Sequence, residues 1–208
     1  AFYFDIRKDA LYCDSLTSTR RRAVRTVLDR VFYCLTTWLA PALVFTSEEA
    51  WLARFPSAAD SVHLQVFPDI PDEYSDAHLA RRWKRVREIR RVITGALEVE
   101  RSEKRIGSSL EARVLLYLSN EEDMKLVGPL DMAELTISSE VVVSGGTSPE
   151  GAYSLEGVEG VSVAIRDPRG SKCGRCWQYS NEVGNSTVHP ELCGRCCSVI
   201  EKQVETAS

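Results

Sequence analysis

A mainly α fold is predicted: a helical body, then a small α+β subdomain, then a carboxy-terminal ribbon built on four cysteines. Three observations predict it. Between residues 18 and 105, apolar side chains recur at three- and four-residue steps over two long stretches. Between 108 and 168, strand-like and helix-like runs alternate in short pieces. Near the end stand Cys173-Gly174-Arg175-Cys176 and Cys193-Gly194-Arg195-Cys196, two Cys-x-x-Cys pairs.

In chain order, Val24, Val27, Leu28, Val31, Leu35, Trp38 and Leu39 form the stripe of a first helix that Ser18 or Thr17 can cap. Pro41 forces a kink or a restart. Thr46-Ser47-Glu48-Glu49 has capping-box spacing and opens a short helix carrying Trp51 and Phe55. Residues 56–71 form a connector with one extended piece, 62–66. A second long helix is predicted over 75–105, striped by Leu79, Trp83, Val86, Ile89 or Arg90, Val92, Ile93 and Leu97, with Gly107 as its stop. Strands are predicted over 111–118, 135–143 and 161–166, a short capped helix over 120–127, and a loop over 145–149. The segments are therefore 1–107, 108–168 and 169–208, the last a ribbon followed by a short polar tail.

Of the 208 residues, 44% are hydrophobic and 27% charged, the balance of a globular chain. No apolar run approaches the roughly 20 residues of a membrane-spanning helix, so no membrane partner is expected. The first residues show no secretory signal. Without an initiator Met and opening in mid-pattern, the chain reads as a piece of a longer polypeptide. Its net charge of -4 argues against a broad electrostatic footprint for nucleic acid. The distribution is uneven: residues 1–110 carry 18 Lys/Arg against 15 Asp/Glu, and 111–208 carry 8 against 15. A polyanion would meet the first half.

Seven cysteines, an odd number clustered late, fit a metal site in a reducing compartment better than a disulfide framework. Cys13 and Cys34 read as small buried hydrophobes. The two pairs are separated by 16 residues, inside the range of structural zinc sites. Cysteines three apart on a tight turn can share one ion, and two such turns complete a tetrahedron. Cys173, Cys176, Cys193 and Cys196 are thus the candidate ligands of one structural Zn²⁺. Glycine at the second place of each pair would let the backbone turn sharply. Lys172, Arg175 and Arg195 lie near enough to offset the negative charge of the centre. Cys197 and His189 are spare ligands in principle.

Arg20, Arg21, Arg22 and Arg25 open the first helix, and Arg81, Arg82, Lys84, Arg85, Arg87, Arg90 and Arg91 coat the second. They are either solvated faces or phosphate contacts. Trp177 and Tyr179 either stack on an unpaired base or form the small core of the ribbon. No Gly-rich phosphate cradle is present. His63, His78 and His189 are too scattered for a nucleophilic triad.

Four stretches, in order, resemble bacterial-type isoleucyl-tRNA synthetases. Residues 2–14 (Phe-Tyr-Phe-Asp-Ile-Arg-Lys-Asp-Ala-Leu-Tyr-Cys-Asp) resemble a stretch of that family. Residues 38–51 are similar to the helix pair of the anticodon-binding domain shared by the isoleucine, valine and leucine enzymes. Residues 106–112 (Ile-Gly-Ser-Ser-Leu-Glu-Ala) resemble the junction after it, and 172–177 with 189–196 the carboxy-terminal zinc ribbon. The resemblance implies a helical anticodon-binding bundle over 1–107, an α+β junction over 108–168 and a zinc ribbon over 169–208. It implies a parent ligase, cytoplasmic and monomeric, that joins isoleucine to tRNA using ATP and Mg²⁺ and edits mischarged valine. The catalytic and editing domains that do so are not in these residues. What the resemblance assigns here is the grip on the anticodon stem-loop of tRNA-Ile. Arg20, Arg21, Arg22, Arg25, Lys172, Arg175, Trp177 and Arg195 are the candidate RNA contacts. Two other classes compete: the DNA-binding zinc ribbon of a DNA-repair glycosylase, and a ribbon that serves as a protein interaction module without RNA.

Overall fold

Ser18 ends an irregular stretch and accepts a hydrogen bond at Oγ from the Arg21 amide, 3.3 Å away, which satisfies one of the free N–H groups of the helix that follows. The computed structural model describes residues 2–57 and 59–207, with side chains as far as Lys202. It divides into two compact units, Leu16–Asp76 and Ala1–Ser15 with Ala77–Ser208. Compactness thus divides the chain differently from the linear segments 1–107, 108–168 and 169–208. The reason is a shared core: Ile6, Val86, Ile93, Ile106, Val114 and Val163 are buried in one cluster.

In unit Leu16–Asp76, helix α3 (Thr19–Leu39) follows α1 (Phe2–Ile6) and α2 (Lys8–Cys13) of the other unit in chain order. After Pro41 the chain turns back, Leu43 N–H donating to the Leu39 carbonyl at 2.7 Å. Helix α4 (Val44–Arg54) then starts two residues before Thr46, so the expected capping box does not form. Glu48 instead accepts from Ser61 Oγ and the Val62 amide, both at 2.9 Å. Trp51, Ala40 and Val62 make the core, with Phe32, Tyr33 and Phe55 around them. The extended piece expected at 62–66 is one turn of 3₁₀ helix, Val62–Leu64. Val62 is buried, but Leu64 and Val66 are exposed, and among the described residues no strand pairs with this piece. The α3 stripe is only partly covered. Val24 is buried, whereas Val27, Leu35, Trp38 and Leu39 are each 43–47% exposed, and Phe45 on α4 is exposed as well.

The other unit is built on α5 (Ala77–Ser102). Most of its predicted stripe is buried, Val86, Ile89, Val92, Ile93 and Leu97, with Ala96 beside them, whereas Trp83 is half-buried and Leu79 near the helix start is exposed. The helix ends at Ser102, before Gly107, and Lys104 takes the left-handed conformation beyond it. Against α5 lies a three-stranded sheet in the order β2-β1-β3, from β1 (Arg113–Leu118), β2 (Glu140–Gly145) and β3 (Val161–Arg166). Strand β1 alternates burial, with Val114, Leu116 and Leu118 inward, which is the period-2 signature of the sequence. It runs parallel to β2 and antiparallel to β3. Parallel neighbours need a crossover, supplied by α6 (Glu121–Val127) and α7 (Met132–Thr136). Asn120 caps α6 as predicted, accepting from the Glu122 amide at 2.7 Å. The strand expected over 135–143 is split. Asp131 caps α7 through the Glu134 amide, and Ile137 closes it in the left-handed region (φ +57°) before β2 begins.

Leu116 is fully buried in the central strand. Leu116→Ala is expected to destabilise this unit by about 3–5 kcal/mol, from lost transfer energy plus the cavity left behind. Chemical denaturation reads it. A loss below 1 kcal/mol would mean that the sheet is not the core. Among the described residues no helix is long and apolar enough to cross a membrane.

Candidate metal centre

The first knuckle is the turn of a two-stranded hairpin, β4 (Ser171–Lys172) with β5 (Tyr179–Ser180), in which Lys172 pairs with Tyr179. Cys173 N–H donates to the Gln178 carbonyl and Trp177 N–H to the Cys173 carbonyl, both at 2.9 Å. The second knuckle runs into α8 (Gly194–Ala207), so the tail expected to be merely polar is helical. The knuckles meet through their backbones: Gly174 N–H donates to the Glu191 carbonyl at 2.9 Å, and Cys193 N–H points at the Cys173 sulfur, 3.3 Å away. Neither Gly174 nor Gly194 has a positive φ, so the turns do not draw on glycine's freedom there. That demand falls on Gly170 (φ +76°), where a Cβ would lie 2.3 Å from the Ser180 carbonyl carbon.

The four sulfurs of Cys173, Cys176, Cys193 and Cys196 all lie within 4.8 Å of one another. Cys176 and Cys193 are 3.8 Å apart. A disulfide needs about 2.05 Å, whereas two corners of a tetrahedron with Zn–S bonds of about 2.3 Å stand about 3.8 Å apart. All seven cysteines are free thiols. The donor set therefore fits a tetrahedral zinc with no position left for water or substrate, which makes the centre structural. Among the described residues this is the one such cluster. Cys197 turns its sulfur to the carbonyls of His189 and Leu192 instead. Burial raises the Cys173 thiol, but backbone N–H groups of Cys176, Cys193 and Arg175 outweigh it and bring the group down to about 6. Burial pushes Cys176 up to about 11 and raises Cys196 still further.

The two knuckle arginines are half-buried and turn their guanidinium groups to α2. Arg175 donates from Nη1 to the Cys13 carbonyl at 2.7 Å and from Nη2 to the Tyr12 carbonyl at 3.1 Å. Arg195 forks onto Asp9 with bonds of 2.6 and 2.7 Å, and lies 3.6 Å from Asp14. Arg175 also approaches Cys196 Sγ, the last cysteine of the far knuckle, at 3.6 Å. The roles of Asp9 and Asp14 were not legible in the sequence, because their partners are more than 180 residues away.

The other candidate contacts fall in two places. Lys172 Nζ sits 5.8 Å from the centre of the Trp177 ring. Trp177 is 61% exposed and in the left-handed region, so it is not the core of the ribbon. That core is Cys13, Leu192, Val183 and Ile200 around the sulfurs. Trp177 lines a pocket of about 550 Å³ with Tyr12, Leu110 and Ile137, another residue in the left-handed region. In unit Leu16–Asp76, Arg22 and Arg25 line a groove of about 600 Å³ with Arg54 and Phe32. Arg54 is paired with Asp29 at 3.0 Å; Arg22 and Arg25 are exposed. Arg20 and Arg21 are half-buried at the start of α3. On α5, Arg85 is turned inward onto Asp123 and Arg90 onto the Leu135 carbonyl, whereas Arg81, Arg82, Lys84, Arg87 and Arg91 are exposed.

Residues 1–116, more than half of the chain, match the family described as the anticodon-binding domain of tRNA ligase. The chain belongs to that family. Behind the anticodon-binding domain, residues 170–199 match a second family, the zinc finger found in FPG and IleRS, which covers both knuckles. With the four converging sulfurs, this supports a structural zinc. Relatives of this anticodon-binding chain are isoleucine–tRNA ligases. That of Brucella abortus is 49% identical over 195 residues, 94% of this chain and 20% of the relative. Those of Bartonella henselae and Mesorhizobium japonicum are 47% and 46% identical, over 94% and 97% of this chain and 20% of each relative. The chain spans about a fifth of the length of the curated relatives it matches.

Proposed function

We propose that this chain is the part of an isoleucine–tRNA ligase that grips the anticodon stem-loop of tRNA-Ile. The observation that carries the reading is the order of the two family matches on one chain, anticodon-binding domain first and zinc finger second, which the isoleucine–tRNA ligases share over nearly its full length. The glycosylase reading accounts only for the zinc finger. Ligation with ATP and Mg²⁺, and editing of mischarged valine, belong to the catalytic and editing domains of the longer polypeptide. The exposed apolar face of Leu35, Trp38, Leu39 and Phe45 suits contact with that remainder. Seven cysteines with no disulfide among them suit a reducing cytoplasm, and the working unit is a monomer.

Cys173, Cys176, Cys193 and Cys196 hold one Zn²⁺, which supplies folding energy and no chemistry. Two surfaces meet RNA. Arg22 and Arg25 in the α3–α4 groove, with Arg20 and Arg21 beside them, neutralise phosphates. Trp177, exposed, held in a strained conformation and flanked by Lys172, presents a ring face for an unpaired base. Arg175 and Arg195 drop out of the RNA-facing set because their guanidinium groups are engaged with α2.

Titration at fixed salt with tRNA-Ile, a non-cognate tRNA and duplex DNA tests the reading. Tightest binding to tRNA-Ile is expected. Arg22→Glu/Arg25→Glu should weaken it at least about tenfold and flatten the salt dependence by about two phosphate contacts. Trp177→Ala should cost about 1–3 kcal/mol of affinity for one lost stack. Preference for duplex DNA would support the glycosylase class. Binding to none of the three would support a protein interaction module.

A further inference from the structure

We infer that Arg175 and Arg195 are positioning residues that tie both metal knuckles to α2, so that metal binding and the docking of residues 8–14 are a single event. Three observations converge. Each guanidinium links a knuckle to α2: Arg175 joins the carbonyls of Tyr12 and Cys13 to Cys196, and Arg195, next to Cys196 in the chain, forks onto Asp9. Cys13 is buried in the same cluster as the four candidate ligands, so α2 closes one side of the centre. Finally, α2 has six residues, and helices shorter than about 12–15 residues are marginal unless something packs on them. Its order comes from what it touches.

When the ion leaves, four converging sulfurs lose the ligand that holds them together, and both arginines lose the positions from which they reach α2. Linkage is reciprocal: if the ion favours docked α2 by some factor, docked α2 favours the ion by the same factor. The coupling has a further consequence, which rests on the RNA reading above. The pocket beside Trp177 has Lys8 and Tyr12 of α2 on one wall and Arg175 and Trp177 of the knuckle on the other. Metal binding would then assemble the surface that meets the base, without touching it.

Hydrogen–deuterium exchange along the full chain, with zinc bound and after chelation, tests the coupling, together with zinc affinity measured against a competing chelator. Chelation is expected to speed exchange in residues 8–14 as well as in the ribbon, and to leave α4 unchanged. Asp9→Asn, which removes the fork partner, should speed exchange in 8–14 while zinc is bound and weaken zinc at least about fivefold. After chelation it should exchange like the wild type, and Asp9→Glu should restore most of the loss. Arg175→Met, which spares the Asp9 pair, should show the same two effects and serves as the second variant. Equal exchange of 8–14 with and without zinc, or unchanged zinc affinity in both variants, would overturn the inference. Measuring tRNA-Ile binding on the same samples keeps the two readings apart. Coupling without tRNA binding would sink only the RNA reading, and tRNA binding without coupling only this one.

Discussion

Stripping zinc from this chain, or replacing Cys173 by Ala, is expected to unfold the ribbon while α3–α4 and the sheet on α5 persist. The argument is one of magnitude. Binding of a structural zinc contributes about 10–16 kcal/mol at neutral pH. The ribbon's own apolar core, Leu192, Val183 and Ile200 beside the sulfurs, is far too small to fold a segment of its length unaided. Cys173 is fully buried and its sulfur also receives the Cys193 amide, so its loss removes a ligand and opens the contact between knuckles. Metal analysis should give one zinc per wild-type chain and less than one in Cys173→Ala. Exchange protection in 171–199 should collapse in parallel. The pH dependence has a definite sign. Cys176, pushed up to about 11, and Cys196, raised beyond it, are protonated in the metal-free chain at neutral pH, so zinc must displace their protons. Affinity should therefore rise with pH across the neutral range and fall on acidification. A metal-free ribbon that stays protected, or a pH-independent affinity, would end this account.

Arg85→Met is expected to cost about 3–5 kcal/mol, as much as truncating a fully buried core side chain. Asp123 is 4% exposed, and Arg85 grips it with two bonds of 2.9 and 2.6 Å while also donating to the Glu159 carbonyl at 3.0 Å. Removing the guanidinium leaves a carboxylate buried without its charge partner, and the desolvation already spent on it is no longer offset. The pair itself is a different matter. Arg85→Met/Asp123→Leu should recover most of the stability, because an apolar pair of similar volume carries no buried charge. Urea melts of the two single variants and the double form a complete cycle. If the double variant were as unstable as Arg85→Met, packing rather than charge would be the cause.

That pair also marks a limit of sequence reading. Glu121, Glu122 and Asp123 look alike at the start of a short helix, where acids suit the dipole. Only Asp123 is buried, and the chain itself does not say so. The same holds for the arginines. Of the basic residues on α5, Arg85 and Arg90 serve the interior and Arg81, Lys84, Arg87 and Arg91 face solvent. Knuckle residues Arg175 and Arg195, read as RNA contacts, extend their guanidinium groups to α2. By contrast, β1, β3, α6 and the inward stripe of α5 stand where periodicity placed them. The split of 135–143 into α7 and β2 turned on the Asp131 cap, a signal present but outweighed by the apolar run beyond it.

What the sequence by itself determined was everything governed by spacing along the chain. Helical and strand periods, the Ser18 and Asn120 caps, and two cysteine pairs 16 residues apart are local geometry, and a few neighbouring residues suffice to specify them. Only the tertiary structure decided how charges and exposed faces are used: that Arg195 finds Asp9, that Arg175 caps the end of α2, and that Trp177 stands out from the ribbon. Those outcomes depend on groups some 160 to 190 residues apart meeting in a low-dielectric interior. A guanidinium in a sequence is the same side chain whether it will meet a phosphate or a buried carboxylate.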